Sequence, residues 1–383
     1  MGGQLCLTNP DVLRIVTENL LKDLREHPDW RIIDFSQNDN TRYCQCDRCA
    51  AVDEEEGSHA GTLIRFVNAV AEEIEKEFPN VLLQTFAYQY TRKAPKITKA
   101  RHNVLIRYCT IEGCFRHPLT DETCAKNGRF FSEELREWKD KCHQLSIWDY
   151  SVNYSCFVAP FPNLIALREN LRFFADCGAI HVYEEDTSPG RNRAGGVYPE
   201  LKAYLISKLE WNPYMRDEEF ESHMNGFLAA YYGKGWQEIK KYIEFEHAMT
   251  ADRHFGCFER VDSSAIHKCD DGARWNEIAE TFEPKAYQEP HPNSPLSKLV
   301  DRLDEAEAFY DNAYALAETE DQRNHITRNK MALDYLRLFC TPHDKTSMTA
   351  EEQAAYESQV QDYLSKRKKY GFFHNLFTAR RKH

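Results

Sequence analysis

The sequence predicts an α/β protein: a (β/α)8 TIM-type barrel that lacks its first strands, followed by an α-helical C-terminal region. Short apolar runs alternate with helical patterns from residue 4 to about residue 212, which is typical of a parallel sheet. About six βα units can be counted, whereas a closed barrel of this class has eight. An open doubly wound sheet is the alternative, but no glycine-rich phosphate loop follows the first apolar run.

The elements can be assigned in order along residues 4–212, which we expect to supply strands 3 to 8 of the barrel. The predicted strands are 4–8, 31–36, 81–87, 104–109, 145–148 and 180–183. The predicted helices are 11–25, 62–78, 132–142, a helix capped by Asn163, and 199–210. The helix at 62–78 is the clearest, because its apolar residues repeat with the helical period of about 3.6 residues.

The pattern after residue 212 is helical only. We expect residues 213–250 to form helices associated with the barrel, including a helix at 217–232. Residues 251–295 are rich in Asp, His, Pro and Gly and predict a long loop or linker. Residues 296–375 are expected to form a C-terminal helical region, with helices at 297–318, 321–339 and 350–369.

The composition excludes several classes of partner. The 383 residues carry a formal net charge of −12, which argues against binding to nucleic acid or to anionic membranes. No apolar run approaches the roughly 20 residues that span a bilayer. No signal peptide is visible, so the sequence indicates a cytoplasmic protein, or an exported one if its natural N-terminus is missing.

The 13 cysteines are an odd number in a chain too large to need a disulfide framework.

Polar residues follow the C-terminal end of nearly every predicted strand. In a βα barrel these ends converge on one face, where active sites lie. The candidate catalytic carboxylates are Asp39, Glu112, Asp149 and Glu184. The candidate substrate-binding residues are Asn38, Asn40, Tyr88, Tyr90, Trp148, Tyr150, Tyr183 and Glu185. Several carboxylates in an aromatic-lined cleft suit glycoside cleavage, although each acid alone could equally be a helix N-cap or an ion-pair partner.

A second constellation is Cys44-x-Cys46-x-x-Cys49. Three thiolates at this spacing could hold a structural Zn²⁺ with a fourth ligand, for which His59, Asp47 or a distant cysteine are candidates. No second motif of the usual kind is evident, so buried or oxidised cysteines are the main alternative. No cofactor is expected for catalysis.

Several strings resemble one bacterial family. They are SQNDNTRYCQCDRCAAVDEEEGSHAGTLIRFVNAVA (36–71), TFAYQYTRKAPK (85–96), NVLIRYCTIEGCFRHPL (103–119), IWDYSVNY (147–154), PFPNL (160–164), LEWNPYMRDEEF (209–220) and YYGKG (231–235). This pattern resembles the family called domain of unknown function 4838. That family is similar to the catalytic barrels of hexosaminidase-like and α-glucuronidase-like glycoside hydrolases, and some members are classed as endo-β-N-acetylglucosaminidases acting on complex N-glycans.

The resemblance also implies differences. The family pattern places a small α/β domain and the first barrel strands before the segment that corresponds to residues 4–10, and this sequence does not contain them. At the last strand the family pattern implies an acid followed by Gln-Gly, whereas this chain has Glu184-Glu185-Asp186.

Strand-end position and the resemblance together imply a glycosidase that cleaves a β-linked N-acetylhexosamine-containing glycan, with an oligosaccharide or a glycoprotein glycan as partner. Glu112 is expected to be the general acid/base, and Asp39 or Glu184 the second carboxylate, acting as nucleophile or orienting a substrate 2-acetamido group. Asp149 is expected to bind sugar hydroxyls. The rival hypotheses are a non-catalytic carbohydrate-binding protein or inactive barrel fragment, and a zinc-dependent hydrolase built on the three cysteines.

Overall fold

The computed structural model describes residues 3–128, 130–186, 197–259, 261, 294–341 and 347–371. The chain divides into two compact units. The first unit contains residues 1–113, 119–150 and 170–184, and the second contains 114–118, 151–169 and 185–383. None of the helices in the described segments combines the length and the apolarity that crossing a bilayer requires.

The first unit is built on a five-stranded sheet. Its strands are β1 (Ile32–Asp34), β2 (Leu82–Ala87), β3 (Val104–Cys109), β4 (Gln144–Tyr150) and β5 (Ala179–Glu185). Its helices are α1 (Pro10–Glu26), α2 (Asp47–Glu56), α3 (His59–Glu75) and α4 (Phe130–Lys141), while α5 (Leu164–Asp176) begins in the second unit and ends in the first. Helix α3 packs against β2 and β3.

The order of the strands identifies the architecture. They lie in the sequence order β1-β2-β3-β4-β5, and the pairs β1–β2, β2–β3 and β3–β4 are parallel. A doubly wound sheet reverses its strand order at a switch point, whereas a barrel wall keeps it. The sheet is therefore a curled half-barrel, and a complete eight-stranded barrel is not confirmed.

The prediction of a strand at residues 4–8 is wrong. The backbone of this segment bonds elsewhere: the Gln4 N–H donates to the Arg42 carbonyl at 3.0 Å, and the Cys6 carbonyl accepts the Asn9 N–H at 3.1 Å. Asn9 then caps α1, accepting a hydrogen bond from the Asp11 N–H. The described part of the first unit thus has five strands in its sheet, one fewer than the sequence predicts.

The two faces of the sheet differ. The register places the apolar residues Leu83, Val104, Ile106, Leu145 and Ile147 on one face, where they are buried. The opposite face, here called the inner face, carries larger and more polar side chains. It includes Asp34, Gln84, Phe86, Arg107, Ser146 and Trp148, together with the buried residues Leu105 and Cys109. On this inner face Gln84 and Ser146 are buried, whereas Phe86, Arg107 and Trp148 are partly exposed.

The second unit is helical in its described part beyond residue 197. Its helices are α6 (Pro199–Trp211), α7 (Asp217–Tyr232), α8 (Trp236–Met249), α9 (Ser297–Val300), α10 (Leu303–Leu316), α11 (Glu320–Tyr335) and α12 (Ala350–Tyr370). Buried tyrosines join these helices, and the Tyr198 and Tyr310 hydroxyls lie 2.5 Å apart. The predicted helix at 297–318 is interrupted between α9 and α10, and the predicted helix at 321–339 ends in a π-helical turn, Leu336–Cys340. Most of the predicted linker, residues 262–293, lies outside the described residues.

Candidate active site at the carboxyl edge of the half-barrel

Several hydrogen bonds join the loop after β1 to the residues that follow β2, and one of them involves Asp39. The Tyr88 hydroxyl donates to the exposed Asp39 carboxylate at 3.0 Å, and the Gln89 side-chain amide donates to the Tyr88 hydroxyl at 2.9 Å. Gln89 has a φ of 51°, a left-handed conformation that costs a non-glycine residue roughly 1 kcal/mol or more. Burial, followed by the charge of Asp39, raises the pKa of Tyr88, so its hydroxyl stays a proton donor to this carboxylate.

Aromatic rings form a row across the inner face. Tyr88 and Phe86 have ring centroids 6.0 Å apart, Phe86 and Trp148 5.6 Å apart, and Trp148 and Tyr183 5.1 Å apart, each pair edge to face. The row runs from β2 to β5 near their carboxyl ends, and Tyr183 is 43% exposed. We call these four residues the aromatic row. It presents apolar ring surface beside the Asp39 carboxylate.

Glu112, which follows β3, lies in an ion-pair cluster. The Arg92 guanidinium is 3.0 Å from the Glu112 carboxylate and 2.7 Å from that of Glu134. The Tyr108 hydroxyl also donates to Glu134 at 3.1 Å. Glu112 is 40% exposed, whereas Arg92 and Glu134 are 20% and 13% exposed. The partly buried guanidinium therefore holds two carboxylates, one of them largely buried and the other open to solvent.

Asp149 faces away from the inner face. Strand alternation places it with the buried Ile147, and it accepts a hydrogen bond from the Thr110 hydroxyl. Burial raises the pKa of Asp149 to about 6, although the Thr110 hydroxyl and the Tyr150 amide act in the opposite direction. Asp149 therefore ties β4 to the residue that follows β3, directly behind the row of rings.

The other predicted site residues are spread more widely. Tyr90 stacks on Tyr43 at 5.2 Å and lines a small cavity beside Cys44 and Cys49 rather than joining the aromatic row. Tyr150 is buried at the end of β4, and Glu184 is half-buried near the end of β5. Glu185 belongs to the second unit, where its carbonyl accepts hydrogen bonds from the Ser151 N–H and hydroxyl.

Asn38 and Asn40 are held by a residue that sequence reasoning did not identify. The Gln4 side-chain amide donates to the carbonyls of Asn38 at 2.8 Å and Asn40 at 2.7 Å, and its oxygen accepts the Asn38 N–H at 3.0 Å. These three bonds fix the backbone on both sides of Asp39. The sequence carried no signal for this role, because Gln4 is 34 residues from Asn38 in a segment that predicts a strand.

A fourth cysteine, Cys6, lies beside the three cysteines of the predicted metal site. Cys6, Cys44, Cys46 and Cys49 have sulfur atoms that all lie within 4.8 Å of one another. The other two candidate ligands, His59 and Asp47, are not part of this group, and His59 bonds to Asp53 with 2.6 Å between Nδ1 and the carboxylate. The Cys49 amide at the start of α2 lowers the pKa of the Cys46 thiol to about 6, whereas burial raises that of Cys49 to about 12.

The second unit holds another group of possible ligand side chains. The Cys114 sulfur lies 3.4 Å from the His117 Nδ1, and the rings of His117 and His254 are 5.3 Å apart. The His117 Nε2 is 2.9 Å from the Ala251 carbonyl, so this ring nitrogen is a hydrogen-bond donor to the backbone. No sequence motif predicts this group, because His254 is more than 130 residues after Cys114 and His117 along the chain.

Carboxylates and aromatic rings at the carboxyl edge of a curled parallel sheet define an α/β half-barrel protein with a candidate active site at the strand ends. The chain belongs to the family described as a domain of unknown function, DUF4838, whose sequence model matches residues 2–244. No curated protein matches the chain. Among solved structures, it is similar to a GH138 enzyme targeting pectin rhamnogalacturonan II, with 10% identity and a TM-score of 0.46. That alignment covers 94% of this chain and 57% of the enzyme, so the chain spans little more than half of its length.

Proposed function

We propose that the carboxyl edge of the half-barrel is the active site of a glycoside hydrolase. The observation that carries this proposal is the aromatic row beside Asp39. A sugar ring has an apolar C–H face that stacks on aromatic side chains, and its hydroxyls and glycosidic oxygen then meet carboxylates. The exposed ring of Tyr183 and the carboxylate of Asp39 lie at opposite ends of this arrangement and remain open to solvent.

The proposed chemistry keeps Glu112 as general acid/base and Asp39 or Glu184 as the second carboxylate. The Arg92 guanidinium, 3.0 Å from the Glu112 carboxylate, holds this side chain in place at the strand end, where its exposed oxygens can reach a substrate or a water molecule. In the proposed reaction the Glu112 carboxyl gives a proton to the leaving oxygen and then accepts one from the attacking water, so the proton balance closes over one turnover. Asp149 and Thr110 act as positioning residues behind β4 rather than as sugar ligands.

The substrate class is proposed from the family resemblance. A β-linked N-acetylhexosamine in a glycoprotein glycan is the first candidate, with endo cleavage as the first mode to examine. The alternative is a carbohydrate-binding protein without turnover. The sheet supports that alternative, because five strands form it in the described residues and a closed barrel has eight.

The test is mass spectrometry of a glycoprotein with complex N-glycans after incubation with the protein, its Glu112→Gln variant and a Glu133→Gln control. Glu133 is an exposed glutamate on α4, so its replacement removes the same charge away from the proposed site. We expect glycan release by the parent and the control, and a loss of at least about 100-fold in Glu112→Gln. If Glu112→Gln released glycan as fast as the Glu133→Gln control, the role of Glu112 would be refuted. Glycan binding by the parent without any product would favour the hypothesis of a carbohydrate-binding protein without turnover.

A further inference from the structure

We propose that Cys6, Cys44, Cys46 and Cys49 bind one Zn²⁺ ion, and that this ion fixes the loop that carries Asp39. The site combines the Cys44-x-Cys46-x-x-Cys49 motif with a cysteine 38 residues before it. The metal site stands on its own geometry, while its value for catalysis rests on the proposed function.

The sulfur positions fit a tetrahedral thiolate site. The Cys6 sulfur lies 3.7 Å from that of Cys46 and 3.8 Å from that of Cys49. Four sulfurs at about 2.3 Å from a central Zn²⁺ are separated by about 3.8 Å along each edge of the tetrahedron. A disulfide would bring two sulfurs to about 2.05 Å, and all four cysteines are free. The spacing is therefore that of atoms sharing an ion between them.

The surroundings also suit thiolates. Cys46 is the N-cap of α2 and Cys49 lies in its first turn, so the positive end of the helix dipole lies at the cluster. The Thr8 hydroxyl lies 3.2 Å from the Cys49 sulfur and 3.5 Å from that of Cys6, where it can donate to either. Cys49 is buried and the other three cysteines of the cluster are half-exposed, so a metal ion could reach the four sulfurs from solvent.

Zinc is the metal that this ligand set favours. Four thiolates in a tetrahedron select zinc or iron, and at equal geometry Zn²⁺ binds more tightly than Fe²⁺. Four protein ligands leave no open position for water or substrate, so the site is structural rather than catalytic. This differs from a zinc-dependent hydrolase, which needs one coordination position free.

The ion would join two segments that hold Asp39 between them. Cys6 is two residues after Gln4, whose side chain bonds to the backbone of Asn38 and Asn40. Cys44 and Cys46 end the same loop at the start of α2. Without the ion, the segment at residues 3–9 is attached to this loop mainly by the Gln4 bonds, which are exposed or half-exposed. The metal therefore acts as the anchor that lets Gln4 position the loop.

The first experiment measures metal content by inductively coupled plasma mass spectrometry on the full chain and on Cys6→Ser, Cys49→Ser and Cys142→Ser. Cys142 is a matched control, because its sulfur donates to the Trp138 carbonyl, a bond that serine can replace. We expect the zinc content of Cys6→Ser and Cys49→Ser to fall by about one ion per chain relative to the parent, and Cys142→Ser to equal the parent. The readout is a difference, so a metal bound by the second unit does not affect it.

A second experiment uses the parent protein and does not depend on the folding of a variant. The protein is alkylated with and without prior treatment by a zinc chelator, and labelled peptides are quantified. We expect Cys6, Cys44 and Cys46 to be protected from alkylation before chelation and labelled after it, whereas the labelling of Cys142 should not change. Hydrogen exchange measured on the same two samples should show that chelation lowers the protection of the amides in residues 36–46. Equal labelling before and after chelation, iron in place of zinc, or unchanged zinc in Cys6→Ser would each overturn the proposal. None of these readouts requires glycosidase activity.

Discussion

The carboxylate of Glu56 offers a quantitative test of how the first unit is held together. Glu56 is fully buried at the end of α2, and its oxygens accept the amides of Ile97 at 2.9 Å and Thr98 at 3.0 Å, as well as the Thr98 hydroxyl. The Arg65 guanidinium donates to the same carboxylate at 2.8 Å. Replacement of Glu56 by Gln keeps the size of the side chain and turns one acceptor into a donor that faces other donors.

The expected magnitude follows from the pKa of this group. Burial alone would raise the pKa of Glu56, but the hydrogen bonds from Thr98 and Ile97 outweigh burial and lower it from 4.5 to about 2. A difference of this size corresponds to about 3 kcal/mol of folding free energy. Buried donors left without an acceptor cost about 1–3 kcal/mol each, so Glu56→Gln should lose at least about 3 kcal/mol near neutral pH.

The dependence on pH has a defined sign. A carboxyl whose pKa is lowered on folding stabilises the protein above its unfolded pKa, and this contribution is lost as the pH falls through the folded value. Glu56 should therefore contribute fully above about pH 4.5 and lose its contribution between about pH 4.5 and pH 2. Urea denaturation followed by circular dichroism, at several pH values in this range, measures the free energy of unfolding of the parent and of Glu56→Gln. The difference in free energy of unfolding between the two proteins should decrease as the pH falls. A difference that does not change with pH, or one below about 1 kcal/mol at pH 7, would refute this account of the carboxylate.

Three further predictions concern substitutions at Gly61, Arg92 and Tyr183. A Cβ at Gly61 would lie 2.2 Å from the Glu56 Cβ, so Gly61→Ala should destabilise the protein by about 1–3 kcal/mol in thermal melts. The control is Gly226→Ala in α7, where the space is open, and this change should be neutral or stabilise the protein by up to about 1 kcal/mol. Arg92→Met leaves the largely buried Glu134 without its cation and should cost about 2–4 kcal/mol in urea denaturation; a loss below 0.5 kcal/mol would show that the ion pair is not structural. Tyr183→Ala should weaken glycan binding about tenfold in calorimetry while leaving the melting temperature nearly unchanged, because its ring is 43% exposed.

The sequence predicted the sheet of the first unit well because buried parallel strands carry a strong local pattern. The strand at 104–109 has the predicted bounds, and the other four strands differ from the predicted ranges by only a few residues. The failure at residues 4–8 has a physical cause. Its apolar run resembles a strand, yet Leu5 is 51% exposed and the backbone bonds to Arg42, a long-range contact with no local signal. Helix α2 was missed because its acidic residues leave a weak apolar face.

The candidate site was predictable only in part. The rule that strand ends meet at one edge placed Asp39, Tyr88 and Trp148 near one another, since it depends only on the order of the strands. The partners of each acid were not predictable. Arg92 reaches Glu112 and Glu134 from a separate loop, and the direction of Asp149 depends on strand register, which the sequence leaves open.

The central claim is that this edge of the half-barrel hydrolyses glycosidic bonds. The most direct measurement is incubation of the protein with a glycoprotein in water enriched in oxygen-18, followed by mass spectrometry of the released glycan. Hydrolysis adds one water oxygen at the new reducing end, so the account predicts a labelled product from the parent and at least about 100-fold less of it from Glu112→Gln. Product without label, or equal labelled product from both proteins, would contradict it.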